Sequence, residues 1–223
     1  MGSIAERLEK ITSIIPEGVE LVAVSKFHPV AQIMEAYEAG QIRFGESRVQ
    51  ELLDKIPALP TDIKWHFIGH LQTNKVRSLM GKTELIESVD SERLLNLIDA
   101  ESRKAGVVTR VLLQVHVAEE ETKFGFLPDE LLTYFDEKKF RNLTNTHICG
   151  LMGMATNTDD EVRIRADFQR IASLFREVAD RAGDELKGFD QISMGMSGDW
   201  PTAVEEGATI IRIGTAIFGE RNY

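Results

Sequence analysis

Eight short apolar runs alternating with helical segments predict a (β/α)₈ TIM barrel, an α/β fold, with one additional helix ahead of the first strand. Three observations carry this. The strand-like runs are apolar along their length rather than alternating, as in parallel strands covered on both faces. The 223 residues contain no Ser/Gly-rich linker or low-complexity tract, so residues 1–223 form one domain, a size at which such barrels stay undivided. An open doubly wound sheet would place a glycine-rich turn after the first strand, and the sequence there is SKFHP.

The leading helix spans residues 3–15, with Ile4, Leu8, Ile11 and Ile15 on one face. The first strand is Val19–Ser25, followed by a helix over Val30–Ala39 that Gly40 stops. Ile42–Phe44 is a short second strand, and Ser47 opens a helix to Ile56. Trp65–Ile68 is the third strand and Thr73–Met80 a short helix. Leu85–Val89 is the fourth strand, and Asp90 or Ser91 caps the helix bearing Leu94, Leu95 and Ile98.

Val107–Val117 reads as the fifth and longest strand, followed by the polar loop AEEETKFGF and a helix from Pro128. Ile148–Met152 is the sixth strand. Thr158 and Glu161 match a capping box for a helix with Ile164, Phe168, Ile171, Phe175 and Val178 on one face. Gln191–Met194 is the seventh strand. Asp199 and Pro201 start a short helix that Gly207 ends, and Thr209–Ile213 is the eighth strand.

A net charge of −10 argues against nucleic acid or an anionic membrane as partner. The N-terminal MGSIAERLEKITSII is amphipathic, neither a signal peptide nor a membrane span. The lone Cys149 excludes an internal disulfide framework and fits a reducing cytoplasm as a buried structural thiol. Nothing marks an oligomer interface, so a monomer is the default.

The chemistry concentrates around LVAVSKFHP (21–29). Lys26 stands where a buried strand ends. An unpaired ammonium is costly to desolvate there, so Lys26 either turns into water or is an amine held for Schiff-base chemistry. Active faces of these barrels lie after the strands, with phosphate sites after strands seven and eight. The turns SMGMSGD (193–199) and GTAIFG (214–219) occupy those places. Gly195, Gly198 and Gly214 would let backbone N–H groups approach an anion, Ser197 and Thr215 add hydroxyls, and the helix at Asp199 adds its positive end. The alternative is that the glycines only shape tight turns.

Barrel closure brings strand one beside strand eight, about 4.8 Å away, and so Lys26 beside this cradle. An imine-forming lysine near a phosphate grip is what pyridoxal phosphate requires. Arg212, between apolar neighbours in TIIRIG, needs a partner. A pyridine nitrogen is one, and a wall carboxylate such as Glu46 or Glu206 is the other.

The segments AVSKFHP, RFGESRVQE, WHFIGHLQTNK, TKFGF, GLMGMA, SMGMSGDW and RIGTAIFGERNY together resemble the YggS/PROSC family, the pyridoxal phosphate homeostasis proteins. The resemblance runs in order from residue 4 to the C-terminus. It implies a barrel similar to the N-terminal domain of alanine racemase, with Lys26 carrying the cofactor as an internal aldimine. It also implies that Arg212 faces the pyridine nitrogen and that Ser197, Gly214 and Thr215 hold the phosphate, flanked by Ser193, Met196 and Gly198. Two departures stand out: Ser47 replaces an asparagine in FGES, and His116 stands where relatives carry asparagine. His116 is either a neighbour of the ring or an ordinary strand-end histidine. His66 and His70 lie across a strand and turn, which disfavours a metal pair, and no metal site is expected. Glu119, Glu120 and Glu121 read as a solvated loop, and Phe124 and Phe126 as covers of the barrel mouth.

Three functions compete. A carrier would hold pyridoxal phosphate, limit free aldehyde and supply pyridoxal-phosphate-requiring apoenzymes, with no catalytic residues of its own. A racemase-like amino-acid enzyme would need a second base. In alanine racemase that base comes from a second domain, and this sequence ends after the barrel. Tyr37 and Tyr134 read as packing residues and Tyr223 is terminal, so the carrier leads. An aldolase-type lysine would need a carboxylate beside it, for which Glu46 is the near candidate.

Overall fold

The computed structural model describes residues 2–119 and 124–220. Its eight parallel strands close in sequence order, the last pairing with the first. They are β1 (Glu20–Val24), β2 (Arg43–Glu46), β3 (Lys64–Phe67), β4 (Leu85–Val89), β5 (Thr109–Gln114), β6 (Thr146–Met152), β7 (Gln191–Ser193) and β8 (Ile210–Ile213). The helices are α1 (Ile4–Thr12), α2 (Val30–Glu38), α3 (Val49–Lys55), α4 (Val76–Leu79), α5 (Glu92–Ala105), α6 (Pro128–Asp136), α7 (Glu161–Ala182), α8 (Trp200–Glu205) and α9 (Thr215–Phe218). None is long and apolar enough to cross a membrane among the described residues.

The predicted barrel and its leading helix are both present. Ser3 caps α1, and Glu6 returns a bond to the Ser3 N–H, completing a capping box. Ile4, Leu8 and Ile11 are buried as α1 packs on α2 and α9. The Arg7 side chain donates to the Ile217 carbonyl at 2.6 Å, tying the first helix to the last.

Because side chains alternate along a strand, each strand serves two cores. Val22, Leu85, Leu112, Cys149, Met152 and Ile210 fill the barrel lumen. Ala23, Phe44, Phe67, Ile86 and Val111 point outward and join Ile33, Leu52, Leu95, Ile98 and Phe168 of the surrounding helices. Burial raises the Cys149 thiol above its ordinary value, as suits an inert core residue.

The boundaries differ from the sequence expectation at instructive places. The fifth strand is six residues rather than eleven, and the longest is β6, with seven. Val108 is 67% exposed before β5 begins, and beyond Gln114 the pairing passes to an isolated Val115–Phe126 bridge. Asp160, not Thr158, caps α7, its carboxylate accepting the Val162 and Arg163 N–H groups. The Thr158 hydroxyl accepts the Asp160 N–H instead. The segment after β3 splits into a 3₁₀ turn at Thr73–Lys75 and the one-turn α4. The segment 214–219, read as a turn, contains the one-turn α9.

Candidate functional site

Lys26 lies two residues beyond β1 and is half-buried. The His28 N–H donates to the Ser25 carbonyl at 3.0 Å, so Lys26 and Phe27 are the middle of a four-residue turn. Phe27 has φ of 68°, a left-handed value that side chains other than glycine and asparagine seldom adopt. β1 pairs with β8 through Val22–Arg212 and Ala23–Ile213, which places this turn beside the start of α9.

The loops after β7 and β8 meet. The Gly214 N–H donates to Ser197 Oγ at 3.3 Å, and the Arg212 N–H donates to the Gly195 carbonyl at 3.0 Å. Gly195 has φ of 92°, and a Cβ there would come within 2.6 Å of the Ala203 Cβ, so glycine is needed to fold this loop onto α8. The Met196 N–H donates to Asp199 Oδ1 at 2.6 Å. A Cβ at Gly214 would lie 3.2 Å from the Val24 carbonyl, and glycine lets β8 pass close to β1. α9 starts immediately; the Ile217 and Phe218 N–H groups both donate to the Gly214 carbonyl at 2.9 Å, and the Thr215 and Ala216 N–H groups precede any acceptor in the helix. Gly198, Thr215 and Ala216 are exposed at this rim, and nothing would lie within 4 Å of a Gly198 Cβ. Small residues, a hydroxyl and outward amides thus form a rim that fits a phosphate group. Ser197, Gly198, Gly214 and Thr215 all belong to it, while Met196 is 41% exposed beside it.

Arg212 is in the lumen, on the same face of β8 as Ile210. Its Nη1 donates to Ser193 Oγ and lies 3.6 Å from Glu87 Oε2, and its Nη2 donates to the Gly153 carbonyl at 3.1 Å. Ser193 Oγ donates onward to Glu87 Oε2 at 2.5 Å, and His66 Nδ1 lies 2.6 Å from Glu87 Oε1. All four side chains are almost fully buried. Burial alone would raise the Glu87 carboxyl, but His66, Arg212 and the Ser193 hydroxyl outweigh it and hold it below the usual carboxylate range. An ionised Glu87 only accepts, so His66 Nδ1 carries the proton between them. Burial likewise pulls the Arg212 guanidinium down, with Glu87 opposing.

The partner of Arg212 is therefore Glu87, neither Glu46 nor Glu206. Glu46 sits on the outward face of β2 with Phe44 and takes Lys55 and the Ser25 hydroxyl. Glu206 pairs with Arg165 at 2.6 Å on the outer surface. With Glu46 buried beneath α3, the carboxylate that an aldolase-type Lys26 would use is engaged elsewhere. Ser193, expected at the phosphate rim, belongs instead to the lumen network.

The remaining sequence candidates scatter. Ser47 is half-buried, and its carbonyl packs against Gly69 so closely that a Cβ there would lie 2.1 Å away. His116 follows β5, and its N–H donates to the Phe126 carbonyl at 2.9 Å. His66 and His70 serve different carboxylates, His70 Nδ1 lying 2.9 Å from Asp90. Phe124 stacks on His70 at 3.9 Å and is 52% exposed, whereas Phe126 is 4% exposed and packs on Tyr134 rather than covering the mouth. Glu119 pairs with Arg163. Glu120, Glu121 and Tyr223 lie outside the described residues. Tyr37 donates to Asp62, and Tyr134 is buried under the helices.

The family profile of the alanine racemase N-terminal domain matches residues 1–222. A relative from Aquifex aeolicus named "Pyridoxal phosphate homeostasis protein" is 40% identical over 228 residues, covering 100% of this chain and 97% of its own. Mouse has a relative of the same name, 38% identical over 99% of this chain and 82% of its own. Among solved structures, PipY of Synechococcus elongatus PCC7942 without PLP superposes with a TM-score of 0.92 at 39% identity, covering 97% of this chain and 100% of its own. PipY with PLP bound gives 0.88 at 38% identity. Built on the same closed barrel and matched along nearly its whole length, the chain belongs to the alanine racemase N-terminal domain family, among the pyridoxal phosphate homeostasis proteins.

Proposed function

We propose that this protein binds pyridoxal phosphate through Lys26 and serves intracellular homeostasis of that cofactor as a carrier, without amino-acid catalysis of its own. When bound, pyridoxal phosphate supplies an aldehyde that condenses with a primary amine, the carbonyl oxygen leaving as water. Lys26 is the amine. Ser197, Gly198, Gly214 and Thr215 hold the phosphate, and Arg212 faces the pyridine nitrogen from the lumen. The observation that carries this is the Gly214–Ser197 contact, which joins the two glycine turns into one rim beside the β1 turn. Homologues bearing the homeostasis name, and PipY with PLP bound, support the cofactor.

The non-catalytic reading draws support from the tyrosines. Racemisation needs a base on each face of the ring, and Tyr37 and Tyr134 are committed to the outer layer. An arginine at the pyridine nitrogen also leaves the ring a weaker electron sink than a carboxylate would. The recipients are apoenzymes that require pyridoxal phosphate, and the protein acts as a cytoplasmic monomer.

The test is an absorption spectrum of the purified protein with pyridoxal phosphate, before and after borohydride, with mass mapping of the adduct. A violet band and a pyridoxyl group on Lys26 are expected, together with no amino-acid racemisation. An adduct on another amine overturns the site, and racemase turnover overturns the carrier. Transfer to an apoenzyme, followed as regained activity, tests the recipients, and sedimentation tests the monomer.

A further inference from the structure

The turn that carries Lys26 is held on both sides by one buried ionic cluster from a neighbouring unit of the barrel. Lys55 Nζ, at the end of α3, donates to the Ser25 carbonyl at 2.9 Å, to Glu46 Oε1 at 2.7 Å and to Glu51 Oε1 at 2.6 Å. The same Glu51 oxygen accepts the Phe27 N–H at 2.6 Å. Ser25 Oγ donates to Glu46 Oε1, also at 2.6 Å. The residues before and after Lys26 are thus fastened to a single cluster, whose Lys55 and Glu46 side chains are 8% and 0% exposed.

Two physical points separate this from ordinary core packing. A buried ion pair seldom stabilises a fold more than apolar residues of the same volume would. What it supplies is directional bonding to defined atoms, here one carbonyl and one N–H on either side of a single residue. The bonded Phe27 is also the non-glycine residue held at φ of 68°. Such a conformation persists only where its surroundings over-determine it, and it concentrates where geometry matters for function. Released from Glu51, Phe27 gains by returning to negative φ, and that rotation re-aims the preceding Lys26.

We propose that Glu51, anchored by Lys55, is a positioning residue for the Lys26 amine: it holds the strained Phe27 turn in the conformation that presents Lys26 to the aldehyde. This rests on the reading of Lys26 as the amine that bonds pyridoxal phosphate. Loss of the clamp lowers the fraction of protein with Lys26 in place, and apparent affinity falls by that fraction. Folding is affected less, because relaxing Phe27 returns part of the lost stabilisation.

The test compares wild type, E51A, E51Q and the double variant E51A/F27N. The measurements are pyridoxal phosphate titration by the violet band, its pH profile, thermal unfolding of the cofactor-free proteins, and borohydride trapping. E51A is expected to bind at least about tenfold more weakly, the effect of losing one hydrogen bond to a charged acceptor, while its thermal midpoint stays close to wild type. E51Q keeps an acceptor for the Phe27 N–H and is expected to recover most of the affinity. Asparagine tolerates positive φ, so E51A/F27N is expected to regain part of it. Wild-type affinity and pH profile in E51A overturn the proposal, as does a loss in E51A that E51Q and F27N do not relieve or that follows the unfolded fraction. Absence of a pyridoxyl group on Lys26 in wild type overturns the site itself, whereas a normal wild-type adduct with an indifferent E51A overturns only the clamp.

Discussion

Arg212 and Glu87 stand 3.6 Å apart on opposite walls of the barrel, one on β8 and the other on β4. An eight-stranded barrel is narrow enough for side chains from facing strands to meet in its lumen. The pair is completed by Ser193, which accepts from Arg212 and donates to Glu87, and by His66 on the far carboxylate oxygen. A guanidinium between Ile211 and Ile213 is thereby given a counter-charge, and its direction is fixed by Ser193 on β7, Glu87 on β4 and the Gly153 carbonyl just past β6.

Removing one partner of such a pair costs more than the pair contributes. E87A leaves Arg212 buried opposite an empty acceptor and should cost about 3–5 kcal/mol, read from urea unfolding of the cofactor-free protein. E87Q keeps one acceptor oxygen, for His66 or for Ser193 but not for both, and should cost less than E87A. Equal stability of E87A and wild type would show that solvent reaches Arg212 in place of Glu87.

The rim proposed to hold the phosphate makes a separate prediction. A Cβ at Gly214 already lies 3.3 Å from the Val24 Cβ, and the branched side chain of G214V needs room that the rim also needs. G214V is expected to weaken pyridoxal phosphate binding at least about tenfold, through lost N–H contacts, while binding of phosphate-free pyridoxal changes little. S197A should move the same preference in the same direction by a smaller factor. An equal loss for both ligands would place the damage in the Lys26 turn rather than in a phosphate grip.

Gly69 is a site of backbone contact with no backbone strain. A Cβ there would lie 2.1 Å from the Ser47 carbonyl and 2.7 Å from the Ser47 Cα, atoms that cannot rotate away. G69A should therefore push the β2–α3 and β3–α4 loops apart and cost about 1–3 kcal/mol, as overpacking does. Because Ser47 begins the segment carrying Glu51, the same substitution should weaken pyridoxal phosphate binding. A thermal midpoint unchanged in G69A would mean that the loops are not locked against each other.

The barrel was legible because parallel strands buried on both faces leave a distinctive pattern in a linear sequence. Lys26 and Arg212 stood out for the complementary reason, as charges in or beside apolar runs, and the burial of Arg212 follows from that pattern. Glu87 carries the same signal in LIESV, but its meaning depends on closure, which puts β4 opposite β8. Local patterns describe neighbours along the chain, not positions across a lumen. Lys55 is harder still. It lies near the end of the helix that Ser47 opens, where nothing local marks it as buried, and only the outward face of β2 brings Glu46 beneath it. At α7, Thr158 and Asp160 are both competent caps two residues apart, and the loop path decides between them. Phe126 was misplaced because the isolated bridge to Val115 draws it inward.

Glu46 and Glu87 are both fully buried carboxyls, yet their stability should respond to pH in opposite directions. For Glu87 the folded pKa lies below its ordinary value of 4.5, because His66, Arg212 and Ser193 outweigh burial. Its contribution is complete above about pH 4.5 and is lost as pH falls through the lower folded value. For Glu46, burial is the larger effect and Lys55 and Ser25 offset only part of it, so the folded pKa lies above 4.5. Between 4.5 and that raised value the folded protein keeps a proton that the unfolded chain releases, and stability falls as pH rises through the window. Unfolding free energies of the cofactor-free protein from pH 3.5 to 8 separate the two. E87Q should flatten the acid side of the profile relative to wild type, and E46Q should flatten the decline above pH 4.5. If E46Q instead flattens the acid side and leaves the profile above pH 4.5 unchanged, Lys55 and Ser25 hold Glu46 ionised more strongly than burial opposes it.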